Sequence, residues 1–244
     1  MSDNKSNLLP SEEITNTFKD SDDQVSLEKI KSDINTVYNK LCGELVRLNI
    51  LLPEAVLDKI AFLIYDDLYE RVKQDPIAIT PFYIYSMSKS FKVIFYYRIA
   101  HELFYLDHKD NEMNKMCKYY SYFLSEEAAK DTKIEIHPEA HIGKRFVIDH
   151  GINTIIGATS VIGDDCTILN NVLLGSKKIT FNPKGKRHPT IGNNVNIAGG
   201  VRILGSVRIG NNTIIGPDCM IVEDIEDNSI VKRESFNQII KRNL

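Results

Sequence analysis

The sequence predicts an α+β protein in sequence order, an N-terminal α-helical domain followed by a left-handed parallel β-helix of hexapeptide repeats. Two observations predict it. Apolar residues recur at helical spacing up to about residue 126, then every six residues from Ile136, and glycine sits beside many of the six-residue positions. The composition is compatible with both halves: 43% hydrophobic and 26% charged residues in 244 are enough to bury a large core. A net charge of −3 gives no electrostatic basis for binding nucleic acid or an anionic membrane surface.

Residues 1–26 are acidic and polar, carry few large apolar groups, and are expected to be disordered. They lack the basic and apolar regions of a secretion signal, and no apolar run approaches the roughly 18 residues of a membrane span, so a cytoplasmic location is expected. The helical domain is expected over 27–133. Leu27, Ile30, Ile34, Val37 and Leu41 mark one face of a first helix. A second follows Pro53 with the stripe Val56, Ile60, Leu63, Ile64, Leu68 and Val72. A third is predicted over Met87 to Tyr105, and a fourth over Asn111 to Glu126 with Met113, Cys117, Tyr120 and Leu124 on one side.

The β-helix is expected over 134–227, with a short C-terminal segment at 228–244. Its aliphatic positions are Ile136, Ile142 and Ile148; Ile156, Ile162, Ile168 and Leu174; then Ile191, Ile197, Ile203, Ile209, Ile215 and Ile221. Glycine follows seven of these thirteen, at Gly143, Gly157, Gly163, Gly175, Gly192, Gly210 and Gly216. Each six-residue unit is a short strand and a turn with its aliphatic residue inward, and three units close one triangular coil, so about five coils are expected. Two breaks interrupt the count: a two-residue slip at "DHGINT" and the inserted loop 175–190, "GSKKITFNPKGKRHPT". A solenoid accepts insertions where they leave the prism, and both breaks carry polar residues that the core would reject. Cys42, Cys117, Cys166 and Cys219 have no ligand spacing and read as small buried hydrophobes.

With these breaks the chain resembles the serine O-acetyltransferases, hexapeptide-repeat acyltransferases. The resemblance rests on "DP" at 75–76, "YRIAH" at 97–101, "IHPEAHIGK" at 136–144, "DHG" at 149–151, "KRHPTIG" at 186–192 and "GGVRILG" at 199–205. It implies acetyl transfer from acetyl-CoA to the hydroxyl of L-serine, with His150 as general base; imidazole is the side chain that changes charge near neutral pH. It further implies that a carboxylate before "IHP" orients the base, here Glu135 where the family has Asp. Asp75 and Asp149 would hold the serine ammonium, Arg187 the carboxylate, and His188 would hydrogen-bond the substrate. Coenzyme A would lie along the β-helix at a subunit boundary, against Gly175, Lys184, Lys186, Ala198, Gly199, Gly200 and Arg202. A homo-oligomer is implied, a dimer of trimers or a trimer, with Asp149/His150 and Arg187/His188 donated by different chains.

Departures from the family pattern are Glu135, Ala158 in place of Glu, the loop "ITFNPKGKRHP", and "EDNSIVKRESF" in place of a "GVPA" segment. The chain ends at Leu244 without the tail that docks into O-acetylserine sulfhydrylase, which argues against that partner. Alternatives are acetyl transfer to homoserine or another small amino-acid or amino-sugar acceptor, and a non-catalytic β-helix homologue. A zinc site on His137, His150 and His188, as in trimeric β-helix carbonic anhydrases, competes, but the spacing does not favour it and no metal is expected. His101 reads as a helix-packing histidine.

Overall fold

The computed structural model describes residues 24–76, 80–178, 180 and 184–234. The greater part of the acidic N-terminus, residues 1–23, and the end of the C-terminal segment lie outside these described residues. Helix α1 (Leu27–Leu41) begins where Ser26 Oγ accepts from the Lys29 amide, and it buries Ile30, Ile34 and Tyr38; Val25 ahead of it is already buried. A short α2 (Gly43–Arg47) leads to α3 (Glu54–Gln74), with Pro53 at a position whose N–H would have had no helical partner. The helix expected over Met87–Tyr105 is instead two, α4 (Pro81–Met87) and α5 (Lys89–Tyr105). The break has a chemical cause: Ser88 Oγ accepts from the Phe91 amide and caps α5, as Thr80 caps α4. Helix α6 (Asn111–Thr132) runs past Glu126 and stops at Lys133, which takes a left-handed φ of 60°.

The remainder is the parallel β-helix. Sheet A holds β1 (Glu135–Ile136), β4 (Ile155–Ile156), β7 (Leu173–Gly175), β10 (Arg202–Leu204) and β13 (Met220–Ile221). Sheet B holds β2 (His141–Ile142), β5 (Val161–Ile162), β8 (Thr190–Ile191) and β11 (Arg208–Ile209). Sheet C holds β3 (Val147–Ile148), β6 (Thr167–Ile168), β9 (Asn196–Ile197), β12 (Ile214–Ile215) and β14 (Ile230–Val231), so the last coil reaches beyond residue 227. The chain visits A, B and C in turn, and the aliphatic positions stack in columns. On sheet A the register is Ile136↔Ile156↔Leu174↔Ile203↔Ile221, unbroken across both the slip and the loop. All five are buried. Both breaks therefore leave at corners, as a stacked core requires.

One corner column is written in polar residues. Arg145, Asp165, Asn194, Asn212 and Asn228 all take φ between 54° and 60°, a region that Asn and Asp tolerate best after glycine. Their side chains join successive coils: Arg145 pairs with Asp165, Asn194 Nδ2 donates to Asn212 Oδ1, and Asn212 Nδ2 donates to Asn228 Oδ1.

The first coil is closed by the helices. Successive coils exchange bonds in both directions, Glu135 N donating to Thr154 O while Asn153 N and Asp165 N donate back to Lys133 O and Lys144 O, and the first coil's remaining, outward-facing carbonyls have no strand above them. Side chains of α5 and α6 fill that role. Tyr97 Oη donates to Ala140 O, Arg98 to Ile142 O and Gly143 O, His101 Nδ1 to Pro138 O, Tyr105 Oη to Glu139 O, and Ser125 Oγ to Ile136 O. Val93, Ile94, Tyr97 and Ala128 continue the prism's apolar core, so the two halves share one interior.

Candidate active site

The slip in the repeat forms the corner between sheets C and A. Strand β3 ends at Ile148, and Asp149, His150 and Gly151 turn the chain toward β4, with His150 at φ 59° and Gly151 at φ 74°. A Cβ on Gly151 would strike Ile148 and Ile134, so only glycine lets the turn close on the segment that leads into β1. Glu135 thus starts its strand at the same corner as His150. The Glu135 side chain is exposed, the His150 side chain is 76% exposed, and among the described residues no hydrogen bond joins them. His150 Nε2 lies 3.9 Å from Asp149 Oδ2.

The end of α3 is docked on this corner by residues that the apolar spacing did not reveal. Asp67, Arg71 and Gln74 share one helix face at i, i+4 and i+7. Asp67 accepts from the Phe146 amide at 2.8 Å and is fully buried against Arg98, which donates Nε and Nη2 to its two oxygens at 2.8 and 3.1 Å. Gln74 Oε1 accepts from Thr167 Oγ1 on β6. Arg71 Nη2 reaches Asp75 Oδ2 at 3.0 Å and Asp149 Oδ1 at 2.7 Å. The two predicted carboxylates, 74 positions apart in the chain, thus converge on one guanidinium.

Arg187 and His188 stand at the next corner, between sheets A and B, where the long loop rejoins the prism. The His188 ring lies against Gly157, its Cδ2 and Nε2 leaving no room for a Cβ there. Thr159 organises the return. Its hydroxyl accepts from the amides of Arg187 and His188 at 3.0 Å each, so its own hydrogen goes to His188 Nδ1 at 2.9 Å; its amide donates to the same nitrogen at 3.0 Å. Two donors on Nδ1 fix the tautomer, and the His188 proton rides on Nε2. His188 is a donor, not a base. Burial pulls its pKa down to about 4, with Arg187, Lys186 and His137 pushing the same way.

That shift has a pH consequence. The unfolded chain protonates His188 near pH 6.5, before the folded chain does, so the stability held by the neutral ring is fully present above about pH 6.5 and is lost as pH falls toward about 4. His188→Asn, with Oδ1 in the place of Nδ1, is expected to keep the Thr159 bonds and lose this dependence. Melting temperatures of both chains between pH 4 and pH 7 check it; parallel curves would refute the assignment.

Of the residues expected around coenzyme A, Lys186 has a structural use: its Nζ donates to Thr159 O at 2.6 Å and Pro189 O at 2.9 Å, pinning the loop's base. Lys184 is exposed in the loop, and Gly175 is buried at the end of β7. Ala198, Gly199 and Gly200 turn the C/A corner two coils on from His150, where Gly200 (φ 77°) carries the Asp218 side chain of the next coil. Arg202 is exposed on β10 and opens, with Asp218, Met220, Lys232 and Arg233, a groove of about 540 Å³.

The prism carries titratable residues at its corners, and a repeat signature described as bacterial transferase hexapeptide (six repeats) matches residues 188–223. The crystal structure of serine acetyltransferase isoform 3 from Entamoeba histolytica in complex with cysteine is 31% identical with a TM-score of 0.67, covering 89% of this chain and 72% of that one. The chain belongs to the serine acetyltransferase family. The serine acetyltransferase of Staphylococcus xylosus is 40% identical over 136 residues, 55% of this chain and 57% of that protein; the match thus spans little more than half of its length. A serine acetyltransferase solved as its complex with CoA is 26% identical, with a TM-score of 0.61 over 72% of this chain and 71% of that one.

Proposed function

We propose that the chain is a serine O-acetyltransferase, moving the acetyl group of acetyl-CoA to the hydroxyl of L-serine to give O-acetylserine. The observation that carries this reading is the convergence of Asp75 and Asp149 beside His150, a negative site next to a solvent-facing imidazole. Two carboxylates and one guanidinium sum to −1, which suits the ammonium of an amino acid. His150 takes the serine hydroxyl proton as the oxygen attacks the thioester carbonyl; the C–S bond then breaks, and the imidazolium returns its proton to the departing thiolate. His188 donates Nε2–H to the substrate, and Arg187 pairs with its carboxylate. Cysteine presents the same ammonium and carboxylate and is expected to compete with serine.

The two corners lie on opposite edges of sheet A, and strand residues 154–157 alone span roughly 10 Å, too far for one small amino acid to join His150 and His188 of one chain. A neighbouring copy that sets its A/B corner against the C/A corner would complete the site, and a closed ring of three does so with one interface repeated. The donor then follows the C/A corner. The groove beside Arg202 and Lys232 lies two to four coils from His150, about 10–19 Å at ~4.8 Å per coil, so phosphates at one end leave the thioester at the other.

Coenzyme A release from acetyl-CoA with L-serine, L-homoserine or no acceptor tests the reaction; a folded, assembled protein idle with serine would overturn it. Mixing tests the shared site. Chains carrying His150→Ala and His188→Ala, unfolded and reassembled together, should regain roughly a quarter of wild-type activity, because a random ring places both intact halves at one interface in four. Two inactive parents giving an inactive mixture would place the whole site in one chain.

A further inference from the structure

Arg71 bonds both Asp75 and Asp149, and nothing in the reaction above uses it. It could stand in for the substrate's ammonium, in which case the acceptor must expel it, or it could stand behind the carboxylates and aim them. The geometry decides. The Arg71 and Asp75 side chains are 13% and 12% exposed, against 31% for Asp149, and among the described residues the Arg71 Nε is shielded from solvent with no partner. The guanidinium therefore lies behind Asp149, away from the surface through which an acceptor enters. It holds Asp149 by Oδ1, which leaves Oδ2 as the oxygen on the His150 side, 3.9 Å from Nε2.

We propose that Arg71 is a positioning residue that sets the specificity for an amino-bearing acceptor: it fixes the orientation of both carboxylates and keeps them together in the empty site. This rests on the reading of Asp75 and Asp149 as the ammonium site. The physical need is plain. Two carboxylates close to one point repel, and without a cation between them one turns away or takes up a proton. The anchoring is also rigid, because Arg71 lies between Asp67 and Gln74 on a helix face bonded at both ends to the prism. The Arg71 fork is thus placed before any substrate arrives, and the acceptor's binding energy is not spent on collecting the carboxylates.

The test uses the full-length protein with Arg71→Met and Arg71→Lys, in steady-state kinetics and in calorimetric titration with L-serine. Arg71→Met is expected to raise the KM and Kd for serine at least tenfold, with the KM for acetyl-CoA unchanged and kcat within about threefold. Arg71→Lys, which restores a point charge but not the fork, should recover part of the loss. Adding Arg71→Met to Asp149→Asn should cost less than Arg71→Met costs in the wild-type chain, since only its hold on Asp75 is then left to lose. A serine Kd that is unchanged or lower in Arg71→Met overturns the proposal while leaving the ammonium site standing, provided that Asp75→Asn and Asp149→Asn still weaken serine. If neither Asn variant weakens serine, the ammonium site itself is wrong and the proposal falls with it. A matching loss of affinity for both substrates with a lowered melting temperature in both Arg71 variants would mark a structural role only, and would also overturn it.

Discussion

His150→Ala is expected to reduce serine-dependent coenzyme A release by about 10²–10⁴-fold, the usual worth of a positioned general base. The KM values for serine and acetyl-CoA should change little, since the ammonium contacts come from Asp75 and Asp149 and the donor lies along the corner. His150 is 76% exposed and bonds nothing that the fold needs, so the melting temperature should hold. Steady-state rates with a thermal melt beside them check both halves of the statement. A variant that keeps more than a tenth of the rate would remove His150 from the chemistry and turn attention to the carboxylates around it. His188 offers no substitute base, because its Nδ1 is committed to Thr159 and its pKa lies at about 4.

The second large effect is on folding. Arg98→Met removes a guanidinium that bonds both oxygens of Asp67 and the carbonyls of Ile142 and Gly143, all at the junction of the two halves. Breaking one side of a buried pair costs about 3–5 kcal/mol, because the other side loses its partner in the core and must stay charged there or take up a proton. Burial already pushes the Asp67 carboxyl above its usual range against the pull of Arg98, so the variant would hold a protonated acid there. Urea unfolding of wild-type and variant chains measures the difference. A double change, Asp67→Leu with Arg98→Met, should recover part of the loss by removing the stranded acid, though the two carbonyls stay unpaired. A single variant as stable as wild type would mean that solvent reaches the junction.

The repeat was legible in the sequence because its physics is local. A column such as Ile136, Ile156, Leu174, Ile203 and Ile221 needs only an aliphatic residue at each return, and neither the slip nor the loop disturbs it. Asp149, His150, Arg187 and His188 stood out for the converse reason, as polar groups where the rhythm fails, whereas Asp75 and Glu135 were reached only through the family resemblance. Arg71, Asp67 and Thr159 did not stand out. Asp67 and Arg71 sit on a helix whose apolar stripe accounts for its burial, and a charged residue on a helix is ordinarily a solvated one. Their partners, Phe146 and Asp149, are 79 and 78 positions away. The one available signal was the i, i+4, i+7 spacing of Asp67, Arg71 and Gln74 beside an unrelated apolar face. The split at Ser88 was missed because a single serine outweighs the continuous apolar run around it.

The covering of the first coil also bears on how these chains avoid one another. A stack of parallel coils has two open ends, each showing unpaired amides and carbonyls, and each is a template for the opposite end of another stack. Tyr97, Arg98, His101, Tyr105 and Ser125 occupy carbonyls of the first coil's end. A chain cut at residue 134 would present that row bare and could add, end to end, to the last coil of a second molecule. The helices are thus a stop on fibre growth as well as half of the fold.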